Sequence, residues 1–157
     1  MFFCKVTDRK IELDALIAKV DDESFGVQVV FSGIVRNINH GKKVIAVSYD
    51  AFVPLAVKSF REICEEANSK FDLPVRTAIV HRIGKLEVGE ISIAIVVGSR
   101  HRDAAYVASR YIIEQIKVRS PIWKKEHYED GETEWLKGHA LCGHAKNQSG
   151  HAQEIHS

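Results

Sequence analysis

Four cationic positions in this chain have the spacing and context to do chemistry: Arg36 behind a β-branched run, His101–Arg102 in SRHR, Lys117 and Arg119 in IKVRS, and Lys124–Lys125 in SPIWKKE. Each taken singly has an ordinary reading as a solvated charge at the end of an element, where polar residues normally collect. Lys117 stands out because Ile116 and Val118 flank it and Ile113 precedes it by about one helical turn. An ammonium among apolar side chains is partly desolvated, which lowers its pKa and makes the neutral amine available as a base or nucleophile. The competing reading is that the lysine stem covers apolar surface while its charge stays in water.

In SRHR the sequence predicts Ser99 as a helix N-cap, with Arg100, His101 and Arg102 in the first turn. Unpaired backbone N–H groups and the positive dipole end already favour an anion there. Cations at that position cost local stability, so their collection reads as an anion site. In SPIWKKE, Pro121 ends the helix that carries Lys117. If the chain beyond it is extended, Lys124 and Lys125 point to opposite sides, with Lys124 facing a pocket, Trp123 packing the segment down, and Lys125 nearer to solvent.

The elements that must position these residues follow from periodicity. Leu13, Leu16, Ile17 and Val20 form the stripe of a short helix over 11–20. VQVVFSGIVR and VIAVSYDAF read as two strands of a hairpin joined through NINHGKK. Pro54 to Lys70 reads as an amphipathic helix entered at proline, with Cys64 on its core stripe. VRTAIVHRIG is a third strand, KLEV a short segment between Gly84 and Gly89, and ISIAIVVGS a strand covered on both faces. A helix follows from about His101 to Lys117 or Arg119, with Ala105, Ala108, Ile112 and Ile116 inward. The resulting ββαββα order after the first helix predicts an α+β sandwich with a mixed, largely antiparallel sheet. One domain is expected over 1–137, and the polar residues 138–157 read as a disordered tail.

Composition narrows the function. The chain has 157 residues, 45% of them hydrophobic and 27% charged, as a single packed domain requires. A formal net charge of +1 lacks the basic excess of a general nucleic-acid binder. No run approaches the roughly 18 apolar residues of a membrane span, and MFFCKVTDRK puts charge where a signal peptide carries its apolar stretch. Cys4, Cys64 and Cys142 are odd in number and form no CxxC pair, so reduced thiols and a cytoplasmic location are expected. The pairs His81–Arg82 and His101–Arg102 lack metal-ligand spacing, His139, Cys142 and His144 fall in the polar tail, and neither a P-loop nor GxGxxG is present. No metal and no cofactor is expected.

FSGIVRN with a following NHGK, YDAFVPLA, HRIGKLEVGE, SRHRDAA and IKVRSPIWKKEHYEDG occur in this order over about residues 25–137. Together they resemble the large, catalytic subunit of molybdopterin synthase. The resemblance implies an α/β hammerhead fold and a homodimer at the centre of a heterotetramer. Each large subunit would grip a small ubiquitin-like carrier whose C-terminal Gly-Gly ends in a thiocarboxylate. The activity implied is sulfur transfer to cyclic pyranopterin monophosphate, forming the dithiolene of molybdopterin. Lys117 and Lys124 would be catalytic. Ile34, Val35, Arg36, His101, Arg102, Lys117, Lys124, Lys125 and Glu126 would bind substrate, with Arg36, His101 and Arg102 on its phosphate. Both reactants are anionic, which suits a site of Arg, His and Lys.

One geometric constraint adds to this. His101 and Lys117 lie sixteen residues apart, or roughly 24 Å along an unbroken helix and on different faces. A small substrate cannot span them within one chain. Either the helix breaks, or Lys117 of one subunit works with His101 and Arg102 of the other, and the second arrangement is the one expected.

Overall fold

A computed structural model describes residues 1–71 and 74–136. The order of elements is β1 (Phe2–Thr7), α1 (Leu13–Ala18), β2 (Val27–Ile34), β3 (Ile38–Asn39), β4 (Lys42–Ala51), α2 (Val53–Asn68), β5 (Arg76–Arg82), β6 (Gly84–Glu87), β7 (Ile91–Ser99), α3 (Arg102–Arg119), β8 (Ile122–Tyr128) and β9 (Thr133–Leu136). The α+β class and the largely antiparallel pairing match the sequence reading. The expected tail, with His139, Cys142 and His144, lies outside the described residues.

Two sheets form. The first runs β1-β5-β7-β2 and contains one parallel pair, β1 with β5. The second runs β3-β4-β8-β9, with β6 added on β4. Every residue of β7 but the first is buried, as its unbroken apolar run predicts. The reason lies on its two faces. Ile93, Ile95 and Val97 join the main core with Phe60, Ile63, Ile112 and Ile116 of the helices. Ala94 and Val96 pack beneath α1 with Leu16 and Val20 in a smaller cluster.

Two expectations are corrected. The hairpin of the second and fourth strands does not form: β2 pairs antiparallel with β7 in the first sheet, whereas β4 pairs with β6 and β8 in the second. Alternation identifies a strand and one buried face but says nothing about its partner. The tight turn that NINHGKK does make joins β3 to β4, with His40 (φ 52°) and Gly41 (φ 76°) both left-handed, as a two-residue hairpin loop requires. The ββαββα order also did not include β1, β3, β8 and β9, and KLEV, read only as a short segment, is strand β6; β3, β6 and β9 are two to four residues long and β8 is mostly polar, so their pattern is weak.

The second correction concerns the start of α3. Ser99 ends β7, and its Oγ lies 3.4 Å from the backbone nitrogen of His101. The N-cap is His101, which is extended and makes no side-chain capping bond. Arg100 and His101 therefore precede the first turn, which contains Arg102 together with Asp103. The acidic residue complements the helix dipole, so the stability cost inferred for three cations in that turn does not arise.

Helix α2 begins at Val53 with proline in its first turn, and it buries Ala56, Phe60, Ile63, Cys64 and Ala67. Cys64 is thus a core residue, and its free thiol lies against that of Cys4 from β1. Burial and the neighbouring sulfur push the Cys64 thiol pKa up, with hydrogen bonding to Cys4 the larger cause. Among the described residues no helix is long and apolar enough to cross a membrane. Phe60 is fully buried at the centre of the main core, so Phe60→Ala should destabilise the protein by about 3–5 kcal/mol, measured as a lowered midpoint in urea unfolding.

Candidate functional site

Strand β8 alternates strictly between buried and half-buried residues from Ile122 to Tyr128. Its inward face carries Lys124 and Glu126, which are only 5% and 4% exposed. Its outward face carries Trp123, Lys125 and His127. Antiparallel pairing with β4 sets Lys124 opposite Tyr49 and Glu126 opposite Val47. Lys124 and Lys125 therefore do face opposite ways, as extension beyond Pro121 required. The Lys125 ammonium sits 5.4 Å from the ring centroid of Trp135 on β9, while Trp123 borders a shallow outer cleft with Asp50, Trp135 and Leu136.

Helix α3 brings the second lysine from the opposite wall. Its buried stripe of Ala105, Ala108, Ile112 and Ile116 seats it on the first sheet, and Lys117, next to Ile116, reaches the same cavity as Lys124. That cavity has a volume of about 280 Å³, and its walls include Ile34, Val35, Arg36, Lys117, Lys124 and Glu126. Six of the nine residues expected to bind substrate are thus brought together from the end of β2, the end of α3 and the inner face of β8.

The electrostatics follow from this placement. Burial holds the Lys117 pKa below its ordinary value, and the Arg36 guanidinium nearby adds to the effect. Of the two readings of Lys117, partial desolvation is the one its surroundings fit. Glu126 is the buried carboxylate of the site. Its Oε1 accepts a hydrogen bond from Asn39 Nδ2 at 2.6 Å and one from the Tyr128 hydroxyl at 3.2 Å. Three basic side chains against one carboxylate leave the cavity electropositive and suited to an anionic ligand.

His101 and Arg102 are not in this cavity. They line a separate cleft of about 580 Å³ at the other end of α3, with Gly26, Val27, Arg100, Asp103 and Tyr106. The helix between them and Lys117 is continuous, so the alternative in which it breaks is excluded. Lys125, on the outer face of β8, also lies outside the cavity.

Tyr49, His81 and Ser92 also line the cavity, beyond the residues expected from sequence. His81, on β5, is 2% exposed and presents its ring edge-on to Tyr49, centroids 5.1 Å apart. Burial depresses its pKa to about 4 despite a backbone hydrogen bond that opposes the shift. Burial likewise pushes the Tyr49 phenol up, against the Ser92 hydroxyl beside it. The available signal was strand geometry, which puts His81 on the same side as Ile79 and Thr77, in a strand that is buried from Thr77 to His81. No cluster of three or more His, Cys, Asp or Glu suited to a metal occurs among the described residues.

Two titrations check these assignments. Removing the guanidinium in Arg36→Ala should raise the Lys117 pKa towards its ordinary value while leaving the effect of burial, read by NMR titration of the labelled ammonium. An unfolded chain protonates His81 near 6.5, whereas the folded protein resists protonation until about pH 4. The proton therefore favours the unfolded state in that window, and stability falls as pH drops from 6.5 towards 4. The loss from this group is roughly 3 kcal/mol at pH 4, so His81→Gln should unfold with a shallower acid dependence in urea titrations.

Comparison with known proteins agrees with this architecture. The sequence model of the MoaE protein family matches residues 6–119. A molybdopterin synthase catalytic subunit from Synechococcus elongatus is 42% identical over 132 residues, covering 84% of this chain and 80% of that protein. The crystal structure of molybdopterin synthase from Staphylococcus aureus superposes with a TM-score of 0.81 at 38% identity, covering 85% of this chain and 96% of the other. A complex of subunits 1 and 2 of the molybdopterin-converting factor from Helicobacter pylori shares the fold, with a TM-score of 0.65 at 22% identity over 87% of this chain and 88% of that one. The chain therefore belongs to the MoaE protein family, the molybdopterin synthase catalytic subunits of molybdenum cofactor biosynthesis.

Proposed function

We propose that this chain is a sulfurtransferase that moves sulfur from the C-terminal thiocarboxylate of a small ubiquitin-like carrier onto cyclic pyranopterin monophosphate, forming the molybdopterin dithiolene. The observation that carries the proposal is the convergence of Lys117 and Lys124, from different elements, on one electropositive cavity that also holds Arg36. The carrier's sulfur attacks a side-chain carbon of the pterin, and the displaced oxygen leaves with a proton. The remaining bond from sulfur to the carrier's acyl carbon is then broken by water or by an amine. Sulfur stays on the pterin, and the carrier departs as a carboxylate or is held as an amide until water releases it. A second thiocarboxylated carrier supplies the second sulfur at the neighbouring carbon by the same steps. Lys117, with its lowered pKa, suits either the proton transfers or the role of transient acyl acceptor. Lys124 is assigned the second catalytic role, and Ile34, Val35, Arg36 and Glu126 shape the binding site.

A carrier subunit is supported by the Helicobacter pylori complex, which pairs a protein of this fold with a second subunit. A second copy of this chain is supported by one of the two edges that the first sheet leaves open among the described residues. Strand β2 ends that sheet, and Val30, Tyr106 and Val107 are 42%, 62% and 45% exposed. A shallow groove between β2 and α3 is lined by Val30, Phe31, Tyr106 and Ile113 and runs to Lys117. A homodimer across this face would let His101 and Arg102 of one copy complete the cavity of the other, placing them on the substrate phosphate. Lys125 would contact the carrier or solvent rather than the reacting atoms. The described single domain would act in the cytoplasm.

The test mixes the protein with thiocarboxylated carrier and cyclic pyranopterin monophosphate and measures molybdopterin. Lys117→Ala should lower the rate by about 100-fold or more, and undiminished product from that variant would remove Lys117 from the mechanism. Mixed dimers of a Lys117→Ala chain with a His101→Ala chain should regain activity, because a shared arrangement leaves one site intact. If each site lay within a single chain, these mixed dimers would stay inactive.

A further inference from the structure

The cavity contains a polar group that the proposed sulfur transfer does not use. His81 Nδ1 lies 2.9 Å from the backbone carbonyl oxygen of Arg82. A carbonyl can only accept, so Nδ1 carries the proton and donates it, and Nε2 of the neutral ring is an acceptor. The backbone position that sets this tautomer is itself well constrained. His81 is bracketed in the sheet by Val6 on β1 and Ile93 on β7, and its ring makes a T-shaped contact with that of Tyr49, the planes 68° apart.

His81 forms part of the cavity wall, as do Tyr49 and Ser92. Lys117, Lys124 and Arg36 offer only N–H donors while charged, and of the Glu126 carboxylate Oε1 already accepts from Asn39 and Tyr128. The cavity is thus rich in donors for an anion, and His81 contributes a neutral acceptor to its wall. Burial keeps the imidazole unprotonated at neutral pH, so this acceptor is present under assay conditions.

We propose that His81 is a positioning residue whose Nε2 accepts a hydrogen bond from an amide-type N–H of the ligand that fills the cavity. This rests on the function proposed above, in which two reactants carry such a group: the lactam ring of the pterin and the glycine backbone of the carrier tail. A carbonyl or carboxylate of the ligand would instead be directed to the lysines, so His81 would fix which edge of the ligand faces inward.

Two substitutions separate this role from packing. His81→Asn can keep the donor to the Arg82 carbonyl but loses the acceptor at the Nε2 position, whereas His81→Gln can carry a carbonyl oxygen out to that position. Affinity is measured by calorimetric titration with cyclic pyranopterin monophosphate and, separately, with the carrier, and steady-state assays follow KM and kcat for each. His81→Asn should weaken binding of one of the two by about tenfold, chiefly in KM, and His81→Gln should recover most of it. Which titration changes identifies the N–H involved. Unaltered binding of both reactants by His81→Asn would overturn the proposal, as would an equal loss in the two variants, which would mark a packing role. Thermal unfolding of each variant establishes that it is folded before it is scored. Binding titrations decide this inference even if the wild-type protein makes no molybdopterin, an outcome that would count against the proposed reaction alone.

Discussion

The register between β4 and β8 governs the site. Side chains on a strand alternate with a period of two, so a slip of one residue would exchange the inward and outward sets completely. In the observed register Tyr49 faces Lys124 and Val47 faces Glu126, while Ser48 faces Lys125. A shift by one would carry Lys125 and His127 into the interior and leave Lys124 and Glu126 in water. The same pairing buries Ile122 and Tyr128 in the main core, so the apolar ends of the strand hold its polar centre in place.

Keeping that polar centre inside requires compensation. A buried ammonium or carboxylate is costly unless it is paired and hydrogen-bonded. Glu126 meets this requirement through Asn39 and Tyr128, whose single hydroxyl proton is shared between Glu126 and Glu134 on β9, each 3.2 Å away. The two-residue strand β3 thus has a purpose out of proportion to its length, since its turn at His40 and Gly41 places Asn39 under Glu126. Lys117 is only half-buried, and its lowered pKa reflects desolvation that has not been offset in the same way.

The segment HRIGKLEVGE makes the geometry around β4 possible. Gly84 (φ 99°) and Gly89 (φ 91°) occupy left-handed conformations that strain other residues. Between them β6 adds Leu86, fully buried, opposite Val47. Arg82 and Glu90 form an ion pair that closes the base of this excursion. His81 belongs to the same segment, and its ring forms part of the cavity wall. A stretch that identifies the family is thus chiefly a structural device, with one residue in the candidate site.

Much of this was determined by local sequence. The stripe of α3 seats Ala105, Ala108, Ile112 and Ile116 inward, β7 is continuously apolar because it is covered on both faces, and an extended segment beyond Pro121 must send Lys124 and Lys125 to opposite sides. These follow from periodicities of 3.6 and 2, which a chain carries without reference to its partners. Tertiary structure alone decided which strands meet, because pairing between β2 and β7 or β4 and β8 joins residues far apart in sequence. It also moved the N-cap of α3 from Ser99 to His101, since Ser99 is committed to β7. For the same reason His81, Tyr49 and Ser92 could not be assigned to the cavity beforehand: each sits in its own strand, and only the tertiary arrangement of the two sheets and α3 brings them to the lysines.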